Sequence, residues 1–351
     1  MNSEPGESRV NSGSGGVRRV DCVVVGGGAA GLSAAINLAR MRRDVLLVDS
    51  RDRFLWRHII HNYLGFPDGI SATEIRRLGW RQAANYGVQL LIGQVASVRR
   101  EGGLCRLEVE APPWPPSGRD AEMARLFDSV PPGERLEILS PTAILATGVV
   151  GHFPEFPGRD ECVGVSLFWC LHCDGYLSID HVVGVVGHDE EGVELALCLL
   201  EFTDHVTLVA GRPEGFDVPP GRLADLEANG IPAHACAVGR YRCENGQMKA
   251  LVLDDAAQTV LPVEQVYTVC RSTPNNAIAR ELGVALHANG HILVDTTQHT
   301  NVPGVYAAGD VTSLHNHQVT AAVHEGNEAA ASANYYLYKP FQRDPNDTDI
   351  R

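Results

Sequence analysis

Two cysteines three residues apart, Cys170 and Cys173, are the most chemically pointed feature of the sequence. In a Cys-x-x-Cys pair the sulfurs can close a disulfide across one turn, and each thiolate alters the reactivity of the other. Trp169 precedes the pair and Asp174-Gly175 follows it. A carboxyl group at Asp174 stands where it could pass a proton to or from a thiolate. A half zinc site and a purely structural pair are the competing readings. No second Cys-x-x-Cys and no nearby Cys-x-x-His completes four zinc ligands, so a redox pair without metal is the expectation. His172, between the cysteines, either adjusts their acidity or simply faces solvent.

Such a pair needs a scaffold and a source or sink of electrons. Val20 to Val25 is an apolar, β-branched run, and Gly26-Gly27-Gly28-Ala29-Ala30-Gly31 follows it. A helical pattern comes next (Leu32, Ala35, Ile36, Ala39), then a strand Val45 to Val48 that ends in Asp49. Strand, Gly-x-Gly-x-x-Gly turn, helix, strand and terminal acid in this register are the pattern of a dinucleotide site. The first glycine permits the tight turn, the second lets backbone approach a pyrophosphate, and the third lets helix pack on strand. Asp49 can accept ribose hydroxyls. A glycine-rich turn without a ligand is the alternative.

Shifting the chain by 161 residues lays this unit over a second one without a gap. Val24-Val25-Gly26 falls on Val185-Val186-Gly187, Gly31 on Gly192, Ala35 on Ala196 and Val45 on Val206. The second copy has lost what binds a cofactor: Gly27 becomes His188, Gly28 becomes Asp189, Ala29-Ala30 becomes Glu190-Glu191, and Asp49 becomes Ala210. After its second strand, Arg212 stands beside Glu214 with no basic cluster for a 2′-phosphate. A carboxylate about 4 Å from a phosphate costs about 4 kcal/mol at an effective dielectric near 20. The helix dipole returns only about 0.3–1 kcal/mol. Repulsion wins, and neither NADPH nor NADH is expected to bind there productively.

At 351 residues the chain has room for about two domains. Met1 to Gly16 reads as a disordered arm and Gln342 to Arg351 as a frayed tail. Arg57 to Pro67 reads as a ligand-lining loop, Ala72 to Tyr86 as an amphipathic helix, and Pro112 to Pro116 as an excursion between strands. Phe153 to Gly158 and Ser272 to Asn275 read as interdomain crossings, and Val319 to Leu337 as a closing helix. No apolar run reaches the ~18 residues of a membrane span, and no secretory leader opens the chain, so a cytoplasmic location is expected. The net charge of -14 argues against nucleic acid and anionic membranes as partners. Nine cysteines are too few and scattered for a disulfide scaffold, so Cys22, Cys105, Cys162, Cys198, Cys236, Cys243 and Cys270 read mostly as small buried hydrophobes. His58 with His61, and His315 with His317, are expected in loops near the bound dinucleotide.

Taken together, these residues resemble the low-molecular-weight thioredoxin reductase family, from about Val20 to Tyr338. The motifs are the glycine turn at Gly26, Ala146-Thr147-Gly148, Trp169-Cys170-x-x-Cys173-Asp174-Gly175, and Gly304 to Asp310 with Gln318-Val319-Thr320 downstream. The resemblance implies an α/β fold of two Rossmann-like, three-layer ββα nucleotide-binding domains. Residues 18–153 and 275–340 would form a discontinuous FAD-binding domain, and residues 158–271 a degenerate NAD(P)-type domain carrying the cysteines. It also implies a homodimer and a thioredoxin-like protein disulfide as partner. Gly26, Gly28, Gly31 and Asp49 would hold the FAD phosphates and adenosine ribose. Asn62, Val95, Thr147, Gly148, Gly309, Asp310, His317, Gln318 and Val319 would lie along the rest of the cofactor. Cys173 would face the flavin, Cys170 would exchange with the partner, and Asp174 would be the acid and base.

Three departures from the family pattern bear on the electron donor. The NADPH turn and the His-Arg-Arg run are missing, His317 replaces the usual Arg before Gln318, and the stretch from Trp56 to Pro67 differs. They look like the NADPH-independent branch, ferredoxin-dependent or deep-branching. An acidic chain suits ferredoxin, itself acidic, only through a local basic patch, from Arg76, Arg77 and Arg81 or from Arg40, Arg42 and Arg43. Two other functions stay open: an O2-dependent dithiol oxidase that forms disulfides in small molecules, and a non-catalytic flavin redox sensor.

Overall fold

The computed structural model describes residues 17–50, 58–112, 125–269, 271–312 and 316–338. The expected arm and tail, Trp56, Arg57, the stretch Pro113 to Pro116, Cys270 and His315 lie outside the described residues. The chain divides into two compact units: Met1–Phe54, Glu74–Val150 and Thr273–Arg351 form the first, Leu55–Thr73 and Gly151–Ser272 the second.

Val, Leu and Ile dominate the first unit's central strands because both faces of that sheet are covered. Six parallel strands are described there, ordered Val305–Ala307, Thr142–Leu145, Cys22–Val25, Val45–Asp49, Gln89–Ile92 and Asp128–Ser129. Side chains alternate between the faces. Val24, Leu47, Ile144 and Tyr306 meet the helices Ala29–Arg40 and Val319–Leu337. Val23, Leu46, Leu145 and Val305 instead meet a four-stranded sheet through Val98, Leu107 and Ile138. Helix, parallel sheet and second sheet make three layers.

The second unit repeats the plan. Its five described parallel strands run Leu167–Phe168, Gln265–Thr268, Val183–Val186, Val206–Val209 and Ala233–His234. Val185 and Leu208 pack on the helices through Val193, Ala196 and Leu226. Val209 and Val266 pack on the antiparallel strands Val238–Glu244, Gln247–Leu253 and Val260–Pro262 through Leu251, Leu253 and Val263. The 161-residue repeat holds to the residue: the first strands begin at Cys22 and Val183, the helices at Ala29 and Glu190, the second strands at Val45 and Val206. Among the described residues no helix is long and apolar enough to cross a membrane.

Candidate active site

Cys170 and Cys173 form a disulfide with their Cα atoms 5.2 Å apart. Cys170 caps the single helical turn Leu171–Asp174: its carbonyl accepts the amides of Cys173 and Asp174, and its sulfur accepts the Cys173 amide at 3.1 Å. Leu171 anchors the turn in the core of the second unit, and His172 points to solvent.

Asp174 is buried on this turn, its side chain 1% exposed. Burial pushes its carboxyl up to about 7. His58 Nε2 lies 3.9 Å from Asp174 Oδ1, and the imidazole rests against the Trp169 ring at 5.5 Å between centroids. Burial, helped by the charge of His61, lowers His58 to about 4. His58, expected in a cofactor-lining loop, stands next to Asp174 of the dithiol turn in the second unit. Asn62 is exposed on the loop that follows, in the same unit.

In the first unit, Gly26 adopts φ +109 with its Cα hydrogens facing the Ala146 carbonyl, so no other residue turns there without strain. Gly31 sits where any Cβ would strike the Gly26 carbonyl. Gly28 caps the helix without a side-chain hydrogen bond, and a Cβ there would meet nothing within 4 Å. The result is a helix N-terminus with free room in front of its amides, a place an anion fits. Asp49 is buried at the end of its strand against Gly27, and Arg76 Nη2 donates to it at 2.5 Å while Arg76 Nε donates to the Gly27 carbonyl. Nothing in the motif pointed to Arg76. Arg76 lies one helical turn before buried Trp80, over whose ring its guanidinium rests.

The remaining expected residues gather at two turns of the same unit. Thr147 donates to the Asn275 carbonyl and accepts from the Asn275 side-chain amide, while Gly148, at φ +65, accepts the Asn275 amide. Gly309, at φ +79, donates its amide to buried Glu325, which also accepts from Thr312. Burial, together with Glu325, raises the Asp310 carboxyl, and His317 opposes the rise. Gln318 caps the helix that Val319 opens, and His317 stacks near His291 at 5.2 Å. Val95 lies on the strand Gln94–Glu101 of the four-stranded sheet, half-buried over that sheet's core.

The corresponding turn of the second unit is occupied by its own side chain. Asp189 caps the helix Glu190–Leu199, with Oδ1 accepting the Gly192 amide at 3.4 Å and Oδ2 accepting from Arg271 at 3.0 Å. Burial works against the charge, yet these bonds hold the carboxyl below the usual carboxylate range. Asp189 is therefore an ionised, hydrogen-bonded plug rather than an unpartnered charge. Arg271 is 75% exposed, so the pair contributes only about 0–1 kcal/mol and leaves most of the carboxylate's repulsion standing. Arg212 is committed to the Gly215 carbonyl. A repeat built twice, open once and plugged once, beside a Cys-x-x-Cys disulfide defines a recognisable architecture. The sequence profile of the pyridine nucleotide-disulphide oxidoreductases matches residues 20–326.

The chain belongs to that family. The F component of alkyl hydroperoxide reductase in Xanthomonas campestris pv. phaseoli is 29% identical over 326 residues, covering 91% of this chain and 57% of the relative. The protein of the same name in Staphylococcus aureus (strain MRSA252) is 30% identical over 205 residues, covering 57% of this chain and 40% of the relative. The chain thus spans about half the length of the curated relatives it matches. Among solved structures, HlmI is 28% identical with a TM-score of 0.77, covering 91% of this chain and 93% of that one. Thioredoxin reductase from Streptococcus pyogenes shares the fold at 22% identity, with a TM-score of 0.78 over 92% of this chain and 99% of its own. Pyridine nucleotide-disulphide oxidoreductases of this thioredoxin reductase-like form are FAD-binding disulfide oxidoreductases.

Two expectations need correction. Cys162 and Cys243, read as separate buried hydrophobes, are joined in a second disulfide across 81 residues of the second unit. Cys22 and Cys105 are buried and free as expected, whereas Cys198 is exposed. The arginine patch also shrinks: Arg76 is sequestered by Asp49 and Arg77 is paired with Glu74. Arg40 and Arg42 remain exposed at the end of the helix Ala29–Arg40, beside exposed Tyr86.

Proposed function

We propose that this oxidoreductase moves electron pairs between FAD and the Cys170–Cys173 disulfide, and that its reducing donor is not NADPH or NADH. Gly26, Gly28 and Gly31 would cradle the FAD pyrophosphate, with Asp49 at the adenosine ribose. The turns at Thr147-Gly148 and Gly309-Asp310, with Val95, His317, Gln318 and Val319, would lie along the ribityl chain and ring. When bound, FAD supplies two-electron chemistry that no side chain can. The protein's part is to hold the disulfide on a rigid turn, to keep Asp174 protonated near neutrality for delivery to a thiolate, and to exclude water from that carboxyl.

The observation that carries the reading is the Asp189 carboxylate on the Gly192 amide, held there by Arg271. A dinucleotide pyrophosphate would need the same amides. Ala210, at the end of the next strand, offers no carboxylate for a ribose. Electrons then reach FAD from a protein donor such as ferredoxin, with Arg40 and Arg42 as its acid-recognising contacts, and leave through Cys170 to a thioredoxin-like disulfide. Anaerobic mixing with reduced ferredoxin and oxidised thioredoxin should yield free thioredoxin thiols. A lack of turnover there, with flavin bound, would sink the ferredoxin-to-thioredoxin reading.

A further inference from the structure

We infer that His58 is a positioning residue that carries protons to and from Asp174 as the Cys170–Cys173 disulfide opens and closes. The inference rests on the disulfide-exchange reading above, and its test separates the two. His58 is fixed from several sides. Its carbonyl accepts the Ala72 amide at 2.9 Å, and the adjoining strand Ile59–Ile60 pairs with Ile70–Ser71. Its ring lies against Trp169, the residue before Cys170. Gly164, at φ +74, passes so close that a Cβ there would come within 2.9 Å of His58 Nδ1. A side chain held this firmly next to a buried carboxyl has been placed there by the fold.

The pair has unused capacity at both ends. Among the described residues, His58 Nδ1 and Asp174 Oδ2 are buried without hydrogen-bond partners. Buried polar atoms of this kind are rare and call for an explanation. Between them, Nε2 and Oδ1 stand 3.9 Å apart, a gap that a shift of about 1 Å closes. Burial keeps Asp174 as the acid and His58 as the free base near neutral pH. Asp174 holds a proton to give to a sulfur anion, and His58 holds a lone pair to take up the next one.

Opening the disulfide breaks the S–S bond with two electrons from the reduced cofactor and leaves two sulfur anions. Asp174 gives its proton to one of them. His58 takes a proton that originates in solvent at Nδ1 and returns the one on Nε2 to the Asp174 carboxylate. The balance is RS–SR + 2e− + H+ → RS− + RSH, and closure runs it backwards. Other titratable groups face the pair. His61 lies on the same loop, Tyr267 on the strand Gln265–Thr268 interacts with Asp174, and His172 is exposed on the dithiol turn.

The test needs no turnover. The protein is reduced chemically, and reclosure of the Cys170–Cys173 pair by a small disulfide is followed by alkylation and mass spectrometry of the peptide holding both, from pH 5 to 9. H58Q should slow reclosure at pH 7 by about tenfold or more and remove an inflection from the pH profile. Added imidazole should restore the rate of H58A and leave the native protein unchanged. A native-like profile in H58Q would overturn the inference, as would a uniformly slowed one of unchanged shape that imidazole does not rescue in H58A. H58Q, which keeps length and a hydrogen-bonding end, decides the matter if H58A does not fold. The native protein tests the exchange reading separately: its reduced pair should reclose with the small disulfide, and a native pair that stays open would sink that reading rather than the role of His58.

Discussion

The two βαβ turns share one register and one packing contact, yet present opposite faces to a nucleotide. In both, the third glycine presses on the first: a Cβ on Gly31 would strike the Gly26 carbonyl, and one on Gly192 would meet Gly187 at 2.8 Å. That contact belongs to the fold and is kept. Between the paired glycines the copies diverge. Gly28 leaves the first helix uncapped with empty space before it, whereas Asp189 satisfies an amide of the second helix internally. A helix N-terminus must be satisfied by water, a side chain or a ligand. The first unit leaves that place without a side-chain cap, and the second has filled it from its own chain.

The largest effect is expected from turning the first copy into the second. Gly28→Asp should weaken FAD binding by about 4 kcal/mol, close to a thousandfold, read by titrating apoprotein with FAD. Native-strength binding would break the comparison at its root. Next comes the disulfide of the second unit. Cys162→Ala should lower the unfolding free energy by about 2–4 kcal/mol in urea without reductant, and by much less with reductant. Smaller again, Asp189→Ala should cost about 1 kcal/mol as a lost helix cap without creating an NADPH site, since Ala210 still offers no carboxylate. Differential scanning calorimetry and nicotinamide titration together check it.

Much of this was legible in the sequence, for a physical reason. The glycine spacing, the β-branched strands and the acid at Asp49 are constrained locally, within one βαβ unit, so pattern alone exposes them. The divergence of the second copy was legible because a gapless repeat sets each position beside its counterpart. What escaped depends on pairs distant in the chain. Cys162 and Cys243 lie 81 residues apart with nothing local to join them. His58 meets Asp174 only through the fold, and Arg76 reaches the strand-end Asp49 from the helix Ala72–Asn85. The charge argument at Asp189 was incomplete for the same reason: Arg271, 82 residues on, is its partner.

The smallest effect concerns pH. Asp174 rises in the folded state to about 7, so the native protein holds its proton longer than the unfolded chain, and stability falls as pH rises from about 4 to 7. His58 falls to about 4, so the unfolded chain binds its proton first, and stability falls as pH drops from about 6.5 to 4. The slopes oppose, each at most about 1.4 kcal/mol per pH unit, so the native pair should add little pH dependence between 4 and 6.5. H58Q should add a slope downward with rising pH, and Asp174→Asn one downward with falling pH. Urea titrations at several pH values read both slopes.

Whether the plugged turn withholds nicotinamide electrons from the flavin, as proposed, is read by anaerobic spectroscopy of the holoprotein with NADPH, NADH and reduced ferredoxin added in turn. The flavin absorbance should hold through both nicotinamides and bleach with the protein donor. Bleaching by micromolar NADPH or NADH would contradict the account.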